Sequence, residues 1–376
     1  MTFTAELDVS GRDVTVVGGS AEALGRISSL VQAGARVTVV SEQVATSIRD
    51  LAERGLLTWL RRNAEAEDFR RSALVIAATD SVHTDCEVRA AAALENRLTI
   101  ASLQPTRTPS EPVGGESPEP LEGRPGSPTS AGPGKVVLVG GGPGDPGLLT
   151  VAGLAAIRSA DVLVVDRLAP LAALQQARPD ALVLDVGKIP RGEFTSQERI
   201  NALLVEHALA GRHVVRLKGG DNFIFGRGGE EWQVCAAAGI EVEVIPGVSS
   251  AVAAPALAGI PLTHRQLTQG FTVVSGHLPP GHPGSTLDWA ALARTNTTLI
   301  VMMGVATLRA VAEELVRQGL DASTPAATIA DAGLASQRSV RGTVARIASL
   351  TEEAGIGAPA IIVIGAVAGF DPSSPS

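Results

Sequence analysis

Arg216-Leu-Lys-Gly-Gly-Asp-Asn-Phe-Ile-Phe-Gly-Arg-Gly-Gly-Glu230 decides how this chain is read. The apolar run His213-Val-Val-Arg-Leu217 feeds a strand into it, and the strand stops in Gly219, Gly220 and Asp221. A double glycine followed by a carboxylate lets a small ligand approach the backbone, because no Cβ stands in the way. One such loop says little alone, and its meaning comes from what surrounds it.

Working outward, Lys135–Val139, Val162–Val165, Phe271–Ser275, Thr298–Val301 and Ala360–Ile364 are further apolar strands alternating with helical stretches. Two α/β lobes are expected, dividing near Pro246-Gly247, at about residues 135–246 and 247–370. Ser196 is placed to cap a helix over Gln197–Ala210; Arg199 stands where a capping box needs Glu or Gln, so a plain cap is expected. No fixed-period repeat is present.

Toward the N-terminus, Asp13–Gly18 reads as a buried strand, Ala23–Ala33 as a helix, and Ala35–Val40 and Ala73–Ala78 as further strands. This alternation predicts a parallel, Rossmann-like sheet over residues 1–104. Gln104–Gly134 holds eight prolines and six glycines with almost no large apolar residues. Such a segment cannot bury enough surface to offset chain entropy, so 105–134 is expected to be a flexible linker, and 371–376 a tail.

Composition bounds the function. The chain has 376 residues, enough for two or three domains, and its 45% hydrophobic and 19% charged residues are usual for a globular protein. A net charge of −8 argues against a general nucleic-acid partner. Cys86 and Cys235 lie far apart in no metal-like spacing; neither a disulfide framework nor a metal site is expected, and both read as buried thiols. The start, Met-Thr-Phe-Thr-Ala-Glu, lacks a secretory pattern, which predicts a cytoplasmic location. Val244–Thr263 is uncharged for 20 residues, but its three prolines and two serines favour a buried loop and helix over a membrane span.

Two glycine-rich loops invite nucleotide readings. Val16-Val-Gly-Gly-Ser-Ala-Glu-Ala23 sits between a strand and a helix like a dinucleotide loop, yet Ser20 replaces the second glycine and Glu22 opens the helix with a charge that repels a diphosphate. A retained structural turn is expected there, and NAD is not the expected ligand. Gly140-Gly-Gly-Pro-Gly-Asp-Pro-Gly147 lacks the Lys-[Ser/Thr] ending of a P-loop, and Pro143 and Pro146 remove amide donors, which excludes a nucleoside triphosphate.

The Gly219-Gly220-Asp221 loop and Val139–Thr150, with Val165-Asp-Arg-Leu168, Val186-Gly-Lys188, Pro246-Gly-Val-Ser-Ser250 and Gly259-Ile-Pro-Leu-Thr-His-Arg265, together resemble the uroporphyrinogen-III C-methyltransferase family. The resemblance spans nearly all of residues 135–368. It implies S-adenosylmethionine as cofactor, a tetrapyrrole substrate methylated at two ring carbons (C2 and C7) to give precorrin-2, and a homodimer formed through this domain. It places Pro143, Gly219, Gly220, Asp221, Ile224, Ser249, Ser250, Met303 and Ala332 at the cofactor, Asp166 as base and Lys188 as proton donor. The family has Pro after its loop Asp, so Asn222 is expected to loosen this turn. Eight substrate carboxylates call for fixed cations, for which Arg191, Arg227, His264 and Arg265 are the candidates.

Residues 10–104 resemble the NAD-dependent precorrin-2 dehydrogenase and ferrochelatase half of siroheme synthases, through Gly18-Gly19, Ala33-Gly-Ala-Arg-Val-Thr-Val39 and Leu74-Val-Ile-Ala-Ala-Thr-Asp80. That family carries its essential Asp where this chain has Gln104. The resemblance therefore implies a domain that has lost its chemistry, with a retained siroheme synthase or a non-catalytic binding module as the alternatives.

Overall fold

The computed structural model describes residues 7–101, 134–187 and 195–373. Its first sheet contains β1 (Asp13–Val17), β2 (Arg36–Val40), β3 (Thr58–Leu60), β4 (Leu74–Ala77) and β5 (Leu98–Ala101), all parallel in the order β3-β2-β1-β4-β5. The Val- and Ile-rich central strands are buried on both faces, as parallel strands flanked by helices must be. Those helices are α1 (Ala21–Gln32), α2 (Thr46–Glu53) and α3 (Val82–Leu94). This is the Rossmann-like arrangement the sequence predicts.

The second sheet, again all parallel, has the order β10-β6-β9-β7-β8, from β6 (Lys135–Gly140), β7 (Val162–Val165), β8 (Leu182–Asp185), β9 (Val214–Lys218) and β10 (Glu241–Ile245). Around it lie α4 (Val151–Ser159), α5 (Gln197–Leu209) and α6 (Gly228–Ala237). The hydroxyl of Ser196 accepts from Arg199 N at 3.2 Å, the plain cap expected.

Beyond Pro246-Gly247 come α7 (Ser250–Leu257), β11 (Phe271–Ser275), α8 (Trp289–Arg294), β12 (Thr298–Met302), α9 (Leu308–Arg317), β13 (Pro325–Ala330), β14 (Arg338–Thr343), α10 (Ile347–Glu353) and β15 (Ala360–Ile364). The third sheet, β11-β12-β15-β13-β14, is mixed: only β11 and β12 pair in parallel.

The linker expected at 105–134 lies, except for Gly134, outside the described residues, and the first domain packs directly on the residues that follow it. One continuous apolar cluster joins Val16, Leu24, Ile27 and Ile48 to Val139, Ile157, Leu163, Leu171 and Leu174. Helix α1 lies on a 3₁₀ turn at Leu171–Gln176. Gly25 makes this approach possible, since a Cβ there would stand 3.1 Å from the Leu174 Cβ, and its carbonyl accepts from Gln175 Nε2 at 3.2 Å.

Two expectations are corrected. Cys86 is exposed, because it lies on the outer side of α3, whereas Cys235 is buried and its thiol is pushed up to about 11 by burial and the nearby Glu231 charge. The Val244–Thr263 stretch is only half buried: α7 seats Ala251 and Ala254 in the core, while Val248 before it and Val252 and Leu257 on it are roughly two-fifths exposed. Among the described residues no helix is long and apolar enough to cross a membrane.

Candidate functional site

Loops leaving β6, β9 and β10 meet at one edge of the second sheet. Gly142 and Gly220 exchange backbone hydrogen bonds of 3.1 and 2.6 Å, with φ of 79° and 67° that only glycine adopts cheaply. Asp221 accepts Phe223 N at 2.9 Å on one oxygen and Gly247 N at 3.1 Å on the other, tying this loop to the approach to α7. Ser249 caps α7 by accepting Ala251 N at 3.3 Å, and a Cβ on Gly220 would lie 3.4 Å from the Ser250 hydroxyl. Gly219, Gly220, Asp221, Ser249 and Ser250 are therefore neighbours, with Ile224 exposed beside them.

Asn222 corrects the expectation of a loosened turn. Its side chain is fully buried, and its amide donates to the carbonyls of Leu138 at 3.1 Å and Ile245 at 3.0 Å. It fastens the loop to β6 and β10, a task proline could not perform.

The far wall comes from the other lobe. A Cβ on Gly333 would lie 3.3 Å from the Asp145 Cβ and 3.4 Å from the Pro143 ring, while one on Gly144 would lie 3.0 Å from Leu334. The Pro143 loop thus rests on the turn that begins at Ala332. Both β12 and β13 run antiparallel to β15, so Met303, with φ 56° and half exposed, leaves the same sheet edge as Ala332. The facing loops of the two lobes thus bound a glycine-rich cleft, with Ile224 and Met303 exposed on the loops that follow β9 and β12. This combination fits a ligand such as S-adenosylmethionine, which joins an aromatic base, a diol and a charged amino-acid tail.

Asp166 stands next to this cleft. One carboxylate oxygen accepts Leu168 N at 3.0 Å and the other lies 3.4 Å from Arg216, and a Cβ on Gly219 would meet the Leu168 carbonyl at 2.5 Å. Behind Asp166 lies a buried network that the sequence reading missed. Glu231, with no exposure, takes Arg216 at 3.1 Å, Lys218 at 2.8 Å and Gln197 at 3.2 Å. Burial alone would raise the Glu231 carboxyl, but the Arg216 and Lys218 charges outweigh it and hold it below its ordinary value. Lys218 is lowered, first by burial and then by Arg216, against the pull of Glu231. Two charges on alternate positions of an apolar strand, Arg216 and Lys218, were the signal available.

The remaining candidates fall elsewhere. Lys188 and Arg191 lie outside the described residues, although the strand leading to Lys188 ends beside β7, with Val186 N donating to the Val165 carbonyl at 2.8 Å. Arg227 follows the Gly219–Asp221 loop in a left-handed conformation and pairs with Glu230 at 2.8 Å. His264 and Arg265 are not brought to the cleft: Thr298, at the opposite end of β12 from Met303, donates to the Leu262 carbonyl at 2.9 Å, and His264 packs on Phe370. A five-residue strand separates the two ends by roughly 15 Å.

In the first domain a cavity of about 830 Å³ is lined by Gly18, Gly19, Ser20, Glu42 and Thr79, among others. Gly18 and Gly19 have packing reasons of their own, since Cβ atoms there would stand 2.0 Å from the Ala78 carbonyl and 2.5 Å from Val44. The buried Ser20 hydroxyl has no partner among the described residues. Gln104 lies outside them.

Residues 135–348 match the family "Tetrapyrrole (Corrin/Porphyrin) Methylases", and residues 6–106 match a family described as "Putative NAD(P)-binding". The chain belongs to the tetrapyrrole methylases. Within that class, it is 48% identical over 62% of its length to the S-adenosyl-L-methionine-dependent uroporphyrinogen III methyltransferase of Methanosarcina barkeri, covering 92% of that protein. It is 34% identical to the siroheme synthase of Actinobacillus pleuropneumoniae over 96% of this chain and 90% of that one. Among solved structures, the Thermus thermophilus uroporphyrin-III C-methyltransferase complexed with S-adenosylhomocysteine is 38% identical, with a TM-score of 0.53 over 62% of this chain and 98% of that one. A cobalt precorrin-4 methyltransferase gives a TM-score of 0.57 at 27% identity, covering 63% of this chain and 96% of that one.

Proposed function

We propose that this protein is an S-adenosylmethionine-dependent methyltransferase that methylates uroporphyrinogen III at two ring carbons to give precorrin-2, as a homodimer. The observation that carries the reading is the cleft in which Pro143, Gly219–Asp221, Ser249, Ser250 and Ala332 converge beside Asp166. Bound there, S-adenosylmethionine supplies a methyl group on a sulfonium, already activated toward a carbon nucleophile. The chain's own work is placement. Asp221 holds the loop from β9 against Gly247, so the cofactor-facing amides are fixed before binding. Asp166, oriented by Leu168 N and Arg216, is the carboxylate proposed to take the proton that the tetrapyrrole ring loses, away from the alkylated carbon, once that carbon has taken the methyl group and S-adenosylhomocysteine has left. Lys188, which follows Val186-Gly187 in sequence, is the proposed proton donor, and Arg227 the proposed anchor for a substrate carboxylate. Exposed Val248, Val252, Phe223 and Trp232 support a second copy as partner.

The first domain supports a second reading. Its open cavity and unpartnered Ser20 hydroxyl favour a site that still takes a ligand, and the full-length likeness to siroheme synthases makes precorrin-2 oxidation and iron insertion the activities to test. Anaerobic incubation with uroporphyrinogen III, S-adenosylmethionine, NAD and Fe²⁺, followed by mass and absorbance, separates all three. Two added methyl groups without NADH formation is the expected result.

A further inference from the structure

Helix α2 of the first domain, with Arg54 just beyond it, touches the ends of β7 and β8 and the turn before Ala332. Ser47 N donates to one oxygen of Asp185 at 2.7 Å and its hydroxyl to the other at 2.8 Å, at the end of β8. Asp50 accepts from Arg167, the residue after Asp166, at 3.0 Å. One turn further on, Arg54 pairs with Asp50 at 3.3 Å and with Asp331, the residue before Ala332 in the other lobe. These side chains are 6% (Asp50), 13% (Arg167), 14% (Asp331) and 16% (Arg54) exposed, so the chain Arg167–Asp50–Arg54–Asp331 runs largely out of water from one lobe to the other.

We propose that α2 braces the methylase cleft, with Asp50 and Arg54 as positioning residues that fix the Asp331-Ala332 turn for the methyl donor. A buried ion-pair chain adds little net stability but specifies geometry, because any other register strands a charge. Asp331 needs such restraint: it is held at φ 52°, and only the Ser336 hydroxyl, at 3.1 Å, and Arg54 hold its side chain among the described partners. Two residues on, Gly333 packs against Pro143 and Asp145. Loss of the Arg54 pair therefore loosens the wall that the donor faces, while Asp166 keeps its own partners, Leu168 N and Arg216. Ordinary glue between domains makes a different prediction, a loss of stability with donor affinity unchanged.

The inference rests on the proposed methyl-donor site, and calorimetric titration of the full chain with S-adenosylhomocysteine separates the two. No binding by the unaltered protein contradicts the site itself. Given binding, Arg54→Met is expected to weaken it on the order of 10-fold and to raise KM for S-adenosylmethionine in step, with KM for the tetrapyrrole within about twofold of the unaltered value. A double cycle with Asp331→Asn should show the two changes to be non-additive. Unchanged affinity in folded Arg54→Met, or additive effects, overturns the brace. Should Arg54→Met fail to fold, Arg54→Lys is read the same way, since a point charge cannot span both carboxylates as the guanidinium fork does.

Discussion

Asp166 owes its place to two contacts made by other residues, the Leu168 amide and the Arg216 guanidinium. Asp166→Asn keeps an oxygen for that amide but cannot take a proton, so turnover should fall about 100-fold or more while S-adenosylhomocysteine affinity holds. Single-turnover assays beside calorimetry check this, and an equal loss of both would make Asp166 a structural residue. Glu231 makes the complementary case. Glu231→Gln leaves Lys218 buried without its counter-charge and Arg216 with Asp166 alone, and denaturant unfolding should report a loss of about 3–5 kcal/mol. The folded carboxyl lies below its ordinary 4.5, so the unfolded chain takes up the proton first as pH drops. The stability Glu231 contributes is therefore complete above pH 4.5 and is lost as pH falls through the folded value. Unfolding curves of the unaltered protein should weaken across that window more steeply than those of Glu231→Gln.

At the scale of elements, what could be read from the sequence was what depends on neighbours along the chain. The strand before Gly18, the Ser196 cap and the glycine loops each follow from local spacing, and each is where it was expected. What could not be read depends on residues meeting across the fold. Asn222 was taken for a weak substitute for proline because its partners, Leu138 and Ile245, belong to strands far from it in sequence. His264 and Arg265 follow a loop held at the opposite end of β12 from Met303, since the direction of β12 decides which end a loop reaches. Gly25, inside a helix, carried no sign that a 3₁₀ turn would lie against it. Gly25→Val should overpack that contact and cost about 1–3 kcal/mol, measurable as a drop in Tm. An unchanged or higher Tm would mean that α1 and Leu171–Gln176 do not pack as described.

The whole molecule is better described as a methylase with a docked first domain than as two modules on a string. A separate methylase was the natural reading of a Pro- and Gly-rich segment, but the apolar cluster shared by Leu24, Ile27, Leu171 and Leu174 sets another expectation. Residues 135–376 expressed alone should expose this surface, with a lower Tm and weaker S-adenosylhomocysteine binding than the full chain. Equal values for both would show the first domain to be dispensable. The account's central claim is methyl transfer to a tetrapyrrole, and the most direct measurement is the product mass after anaerobic incubation of the full chain with uroporphyrinogen III and S-adenosylmethionine. The account predicts the addition of two methyl groups, slowed about 100-fold or more in Asp166→Asn. An unmodified tetrapyrrole, recovered from folded protein that has bound S-adenosylmethionine, would contradict it.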